Sequence, residues 1–150
     1  MNSTTIAHVY RPRRSKDRGR TLGLSSSAVR NVVKQVEAGF PFAALEKFQM
    51  ASGLPLAEIA GLLRIPPRTL VRRRAGGRLG PDESERLLRI STVFERAVEL
   101  FEGDVTAARN WLLTPKKALA GEAPLLFSRT EIGAREVEAL IGRLEHGVFS

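Results

Sequence analysis

Seven side chains suited to gripping a polyanion crowd into one short stretch: Arg64, Arg68, Thr69, Arg72, Arg73, Arg74 and Arg78. A guanidinium is planar and permanently charged, and its fork meets a guanine edge or two phosphate oxygens through parallel hydrogen bonds. Thr69 can donate to a phosphate or lay its methyl against that of thymine. No acid interrupts residues 64–78, so nothing local neutralises the cluster.

Covalent chemistry finds little to work with. The chain has no cysteine, which removes disulfides, thiolate metal sites and a thiol nucleophile. Its two histidines, His8 and His146, have no metal-binding spacing, and no GxGxxG, P-loop or nucleophile elbow occurs. The acidic pairs Asp82-Glu83 and Glu136/Glu138 suit helix starts and solvated faces. A binding protein without catalytic activity, cofactor or metal is the expectation.

The elements that would carry the arginines have the layout of a helix-turn-helix. Residues 56–63 read as a short helix, with Ile59, Leu62 and Leu63 apolar and the small Ala60 allowing a second helix to cross closely. Pro66-Pro67 breaks the chain, and residues 68–74 form the second helix, with Leu70 inward and the arginines outward. Arg64 stands where such a turn often has glycine. A left-handed residue there costs roughly 1 kcal/mol without glycine, which leaves open whether the turn is wound differently.

Charge supports a division of labour. Residues 1–78 hold fifteen Lys/Arg against four Asp/Glu, whereas residues 79–150 hold nine against twelve, within a net charge of +8. The first half therefore suits a nucleic acid, and the second half does something else. Residues 1–22 contain Arg11, Arg13, Arg14, Lys16, Arg18 and Arg20 with only Asp17 opposing, and read as a disordered basic arm.

The remaining elements are helical. Ser25 or Ser26 can cap a helix with Val29, Val32, Val33 and Val36 on its inner face and Gly39 as its stop; Phe40, Phe42, Leu45 and Phe48 begin the next stripe, closed by Gly53. The longest periodic segment, residues 81–102, carries Leu87, Ile90, Phe94, Ala97, Val98 and Phe101 and looks like a spine. Asp104 can cap a helix with Val105, Ala108, Trp111 and Leu112, Trp111 reading as core, and Pro115 ends it. Residues 116–129 read as a loop. Thr130 then caps a last helix with Val137, Leu140, Ile141 and Leu144 before Gly147. With no hairpin signal, the fold class is all-α: an arm over 1–22, a helix-turn-helix region over 23–80 and a second helical region over 81–150.

Beyond Gly147 the sequence reads Val148-Phe149-Ser150, an aromatic ring and a carboxylate on a short free end. Such an end can pack locally, fray, or anchor in a partner's pocket.

Several runs carry a resemblance. Arg68-Thr69-Leu70-Val71-Arg72-Arg73, then Leu79, Glu83-Ser84 and Arg86-Leu87-Leu88-Arg89, look like the antitoxins named for Xre, MbcA and ParS. Ala108-Arg109-Asn110-Trp111-Leu112, Thr114-Pro115, Ala118-Leu119, Gly121, Pro124-Leu125, Gly133-Ala134-Arg135-Glu136-Val137 and residues 142–150 resemble that family's toxin-binding domain. Ser128-Arg129 and Lys116-Lys117 depart from its usual pattern.

The resemblance implies a type II antitoxin whose partner is a RES-domain, NAD-consuming toxin. It implies a homodimer that represses its own promoter by binding operator duplex DNA, and a carboxyl-terminal region that blocks the toxin's active site. Arg135, Arg143, Glu145, His146, Gly147, Val148, Phe149 and Ser150 would then meet the toxin, although His146 also suits the negative end of a helix. A cytoplasmic protein with no membrane segment is expected, since no apolar run approaches a membrane span and the basic amino terminus lacks a signal-like apolar stretch. The rival reading is a plain transcriptional regulator whose second half dimerises or binds another protein.

Overall fold

A computed structural model describes residues 18–24 and 28–147. After a 3-10 turn, Arg20–Leu22, come α1 (Val29–Ala38), α2 (Phe42–Ser52), α3 (Leu56–Leu62), α4 (Pro67–Gly76), α5 (Pro81–Leu100), α6 (Val105–Leu113), a second 3-10 turn (Lys117–Leu119), α7 (Pro124–Phe127) and α8 (Glu131–Glu145). The fold is all-helical. Its sole extended pairing among the described residues is an isolated antiparallel bridge between Pro41 and Arg78.

The periodicity of α5 explains its central place. Leu87, Ile90, Val93, Phe94 and Ala97 are all buried, and Phe94 meets Phe48 of α2 edge-on with ring centroids 5.6 Å apart. On its other side α5 packs against α6 and α8, so one apolar cluster runs from Leu22 and Phe40 to Val137 and Ile141. The basic half and the second half thus share a core across α5. Burying these side chains in common makes each half support the other.

Polar groups lock this spine to the segments before it. Ser84 accepts from the Phe40 N–H at 2.8 Å and donates to the Gly80 carbonyl at 2.8 Å, so a buried hydroxyl satisfies both. Gly39 ends α1 with φ 83, and a Cβ there would strike the Leu79 carbonyl oxygen. Glycine is required twice over, by conformation and by close approach. Gly133 in α8 is similarly confined, because a Cβ would collide with the carbonyl oxygen of Phe127.

Four expectations change. The arm does not extend to residue 22: Leu22 is buried, and the Thr21 hydroxyl donates to Glu95 at 2.6 Å, so a buried carboxylate on α5 secures this turn. The valine stripe of α1 is only partly internal, for Val32 is buried while Val29 and Val33 are about half exposed. Residues 116–129 contain the second 3-10 turn and α7, because Leu119, Pro124 and Leu125 are buried and fix local turns. Trp111 is only half-buried; its ring lies 6.5 Å from that of Phe101 and carries the Lys116 ammonium 5.2 Å from its centroid. The suggested Ser25 and Ser26 caps lie outside the described residues.

Candidate functional site

The turn between α3 and α4 is built by hydrogen bonds that a helix end ordinarily leaves open. The Ile65 N–H reaches back to the Ala60 carbonyl at 2.9 Å and the Arg64 N–H to the Gly61 carbonyl at 3.2 Å. That double closure is the Schellman arrangement, and its left-handed position is Arg64, with φ 56. Ile65 follows as a buried anchor. The turn has the glycine-type winding after all, and an arginine occupies it.

Pro67 starts α4 at a position where a missing N–H costs nothing, and Gly77 ends it in a left-handed conformation. Leu70 packs half-buried against the core, which fixes the rotation of the helix. Arg68 and Arg72 are consequently exposed on the opposite face, one turn apart, and Thr69 is half-buried at its margin. No ion pair or hydrogen bond engages Arg64, Arg68 or Arg72 among the described residues.

Three other arginines of the cluster are turned to the protein. The Arg73 Nε donates to a Glu83 carboxylate oxygen at 2.9 Å, and that oxygen also accepts the Gly80 N–H at 2.7 Å. Arg74 lies over the Phe42 ring, 5.4 Å from its centroid, and Arg78 donates to the Gly39 carbonyl. Both stay exposed, so their charge still contributes to the field of the basic face. Sequence pattern groups all seven residues; the structure separates three outward cations from three that brace the helix.

Arginines of the second half brace the fold in the same way. Arg86 donates to the Leu63 carbonyl at 3.0 Å, Arg109 to that of Ser52 at 3.0 Å and Arg89 to that of Arg129 at 3.1 Å. The first two cap the carboxyl ends of α3 and α2, where orphan carbonyls and the helix dipole favour a cation.

On α8 the buried stripe is Ala134, Val137 and Ile141. Thr130 caps its start, accepting the Gly133 N–H at 3.0 Å. Opposite the stripe lie Arg135, paired with Glu131 at 2.8 Å, and the exposed Arg143. Glu145 is different: its side chain is largely buried and bonds Arg96 of α5 at 3.3 Å. His146 closes the helix through its N–H to the Gly142 carbonyl at 3.1 Å, and Gly147 turns left-handed with φ 64. Val148, Phe149 and Ser150 lie outside the described residues.

Several exposed apolar residues escaped the sequence reading, Met50 being the most exposed at 84%. Val71 on α4 is 70% exposed and Ile132 on α8 is 78% exposed. Each sits beside an inward residue, Leu70 and Gly133, so periodicity alone could have marked them as out of phase with the core. Both departures from the family pattern have local partners. Lys116 covers Trp111, and the buried Ser128 hydroxyl donates to the Pro124 carbonyl at 2.7 Å.

Known proteins resemble this chain over both of its parts. Residues 31–91 match a family described as the antitoxin Xre-like helix-turn-helix domain, and residues 96–147 match the antitoxin Xre/MbcA/ParS C-terminal toxin-binding domain. A curated protein named Antitoxin Xre, from Yersinia enterocolitica serotype O:8 / biotype 1B, is 43% identical over 132 residues, covering 87% of this chain and 89% of its own length. The chain belongs to the Xre antitoxin family.

An Antitoxin Xre of Photorhabdus laumondii subsp. laumondii is 36% identical over the same coverage, and one of Pseudomonas putida is 33% identical over 84 residues, 55% of this chain and 52% of its own. The matched domains are those of a type II antitoxin, a binding protein and not an enzyme, with DNA and a toxin as its partners. No helix among the described residues is long and apolar enough to cross a membrane.

Proposed function

We propose that this antitoxin neutralises a RES-domain, NAD-consuming toxin by presenting α8 and the residues after it to the toxin's active site, and that as a homodimer it represses its own operon in the cytoplasm. The observation that carries the reading is the end of α8. Its core stripe is sequestered, Arg143 on its outer face is exposed, and the sequence after Gly147 supplies Val148, Phe149 and Ser150. An aromatic residue close in sequence to the end of a helix suits a buried anchor in a partner's pocket. On α4 and the turn before it, Arg64, Arg68 and Arg72 supply three cations for the duplex. A dimer would double these short contacts on a two-fold operator.

Co-expression tests the toxin reading. The adjacent open reading frame is induced alone, then with the full chain, then with a chain lacking Val148 to Ser150. Growth arrest and NAD loss, relieved by the full chain and not by the shortened one, are the expected outcome. A neighbour that leaves NAD untouched would remove the RES assignment. Full neutralisation by the shortened chain would remove the active-site plug, and absence of any effect of the neighbour would favour the plain regulator.

A further inference from the structure

Four outward residues of α4, Arg68, Val71, Arg72 and Ala75, fall within about 100° of arc on a helix of roughly 3.6 residues per turn. They form two parallel rows, each one turn long: Arg68 with Arg72, and Val71 with Ala75. All four are exposed. Leu70 occupies the opposite side, and Arg73 is held by Glu83, so the rotation that turns these rows outward is fixed at two points.

A single exposed valine is unremarkable on a protein surface. Val71 differs by its setting: 70% of it is accessible, on the element that bears two unengaged guanidinium groups, in a domain of helix-turn-helix type. Residues in the first turns of such a helix approach base edges in the major groove. The edges there offer guanine acceptors, which an arginine fork matches, and one apolar feature, the thymine 5-methyl group. A branched aliphatic side chain has no hydrogen bond to offer and complements only that methyl.

We infer that Val71 is a specificity-determining residue that packs against a thymine 5-methyl group, beside contacts made by Arg68 and Arg72. The inference rests on the DNA-binding reading and adds a base preference to it. Ala75 continues the row as a small residue, and a Cβ placed on Gly76 would meet nothing within 4 Å, so this flank of the helix is open to a close approach.

The test uses the full chain and duplexes recovered from a randomised DNA pool. In the recovered site each thymine is replaced in turn by uracil, which removes the methyl and leaves every hydrogen-bonding group in place. At one position the wild-type chain loses about fourfold in affinity, the equivalent of one buried methylene. Val71→Ser binds the thymine and uracil duplexes equally, with unchanged thermal stability because the side chain is exposed. Wild-type indifference to uracil at every position, or a thymine preference that survives in Val71→Ser, overturns the assignment while leaving DNA binding intact. Failure to recover any duplex overturns the DNA-binding reading itself, and the Val71 assignment with it.

Discussion

The Arg73 guanidinium and the Glu83 carboxylate, 2.9 Å apart, join the helix that carries the outward arginines to the first turn of the long central helix. The same Glu83 oxygen receives the Gly80 N–H, so one carboxylate caps α5 and orients α4. The Glu83 side chain is 11% exposed and that of Arg73 33%, which shields the pair more than an ordinary surface bridge.

Glu83→Ala should therefore act on both stability and recognition. Losing a helix cap and a charge-assisted hydrogen bond costs about 1–3 kcal/mol. Urea denaturation reads the stability term, and duplex titration reads the loosened α4. A variant with unaltered midpoint and affinity would deny the brace its role.

Arg68→Ala with Arg72→Ala should leave the fold untouched, since no described residue pairs with either, and weaken binding to duplexes of every sequence. If each arginine neutralises one phosphate, the slope of log K against log salt falls by about 1.8. Arg73→Ala should instead lower the melting temperature. Equal thermal destabilisation by all three substitutions would contradict the separation of outward from bracing arginines.

Arg64 makes a third case, because its left-handed backbone is strained for any residue with a Cβ. Arg64→Gly relieves about 1 kcal/mol, less the extra freedom that glycine gives the unfolded chain. The expected result is a higher melting temperature together with weaker duplex binding. Stability traded for a positive charge at the turn would explain why arginine stands there. A variant that gains stability and keeps full affinity would leave that arginine with no role at the duplex.

Where apolar spacing decides the outcome, the fold is legible in the sequence. The spine with Leu87, Ile90, Phe94 and Ala97, the Asp104 and Thr130 caps, and the stops at Gly39 and Gly53 all follow from periodicity and backbone chemistry. Charged residues are less legible, because an arginine has the same letter whether it faces solvent or a carbonyl. Arg68 and Arg73 belong to one run, yet only the contact with Glu83, ten residues on, separates their roles. Val29 and Val33 show the converse: a valid helical stripe remains half exposed when the described neighbours cover only part of it.

The end of α8 offers the sharpest separation of fold from recognition. Arg143 and Glu145 are two residues apart, and the resemblance would give both to the toxin. In the folded chain Arg143 is exposed, whereas Glu145 pairs at 3.3 Å with Arg96, whose side chain is only 12% exposed and which also lies 3.8 Å from Glu99. Removing Glu145 strips a shielded arginine of one of its two acidic partners, so Glu145→Ala should cost about 1 kcal/mol of stability, with Glu99 absorbing part of the loss. Arg143→Ala should leave denaturation unchanged and speed dissociation of the toxin complex, as loss of a contact at a binding surface does. Surface-immobilised toxin, with denaturation of each free variant alongside, reads the two effects separately. If Arg143→Ala destabilises the free chain as much as Glu145→Ala, or leaves the dissociation rate unchanged, the outer face of α8 is not the surface that meets the toxin.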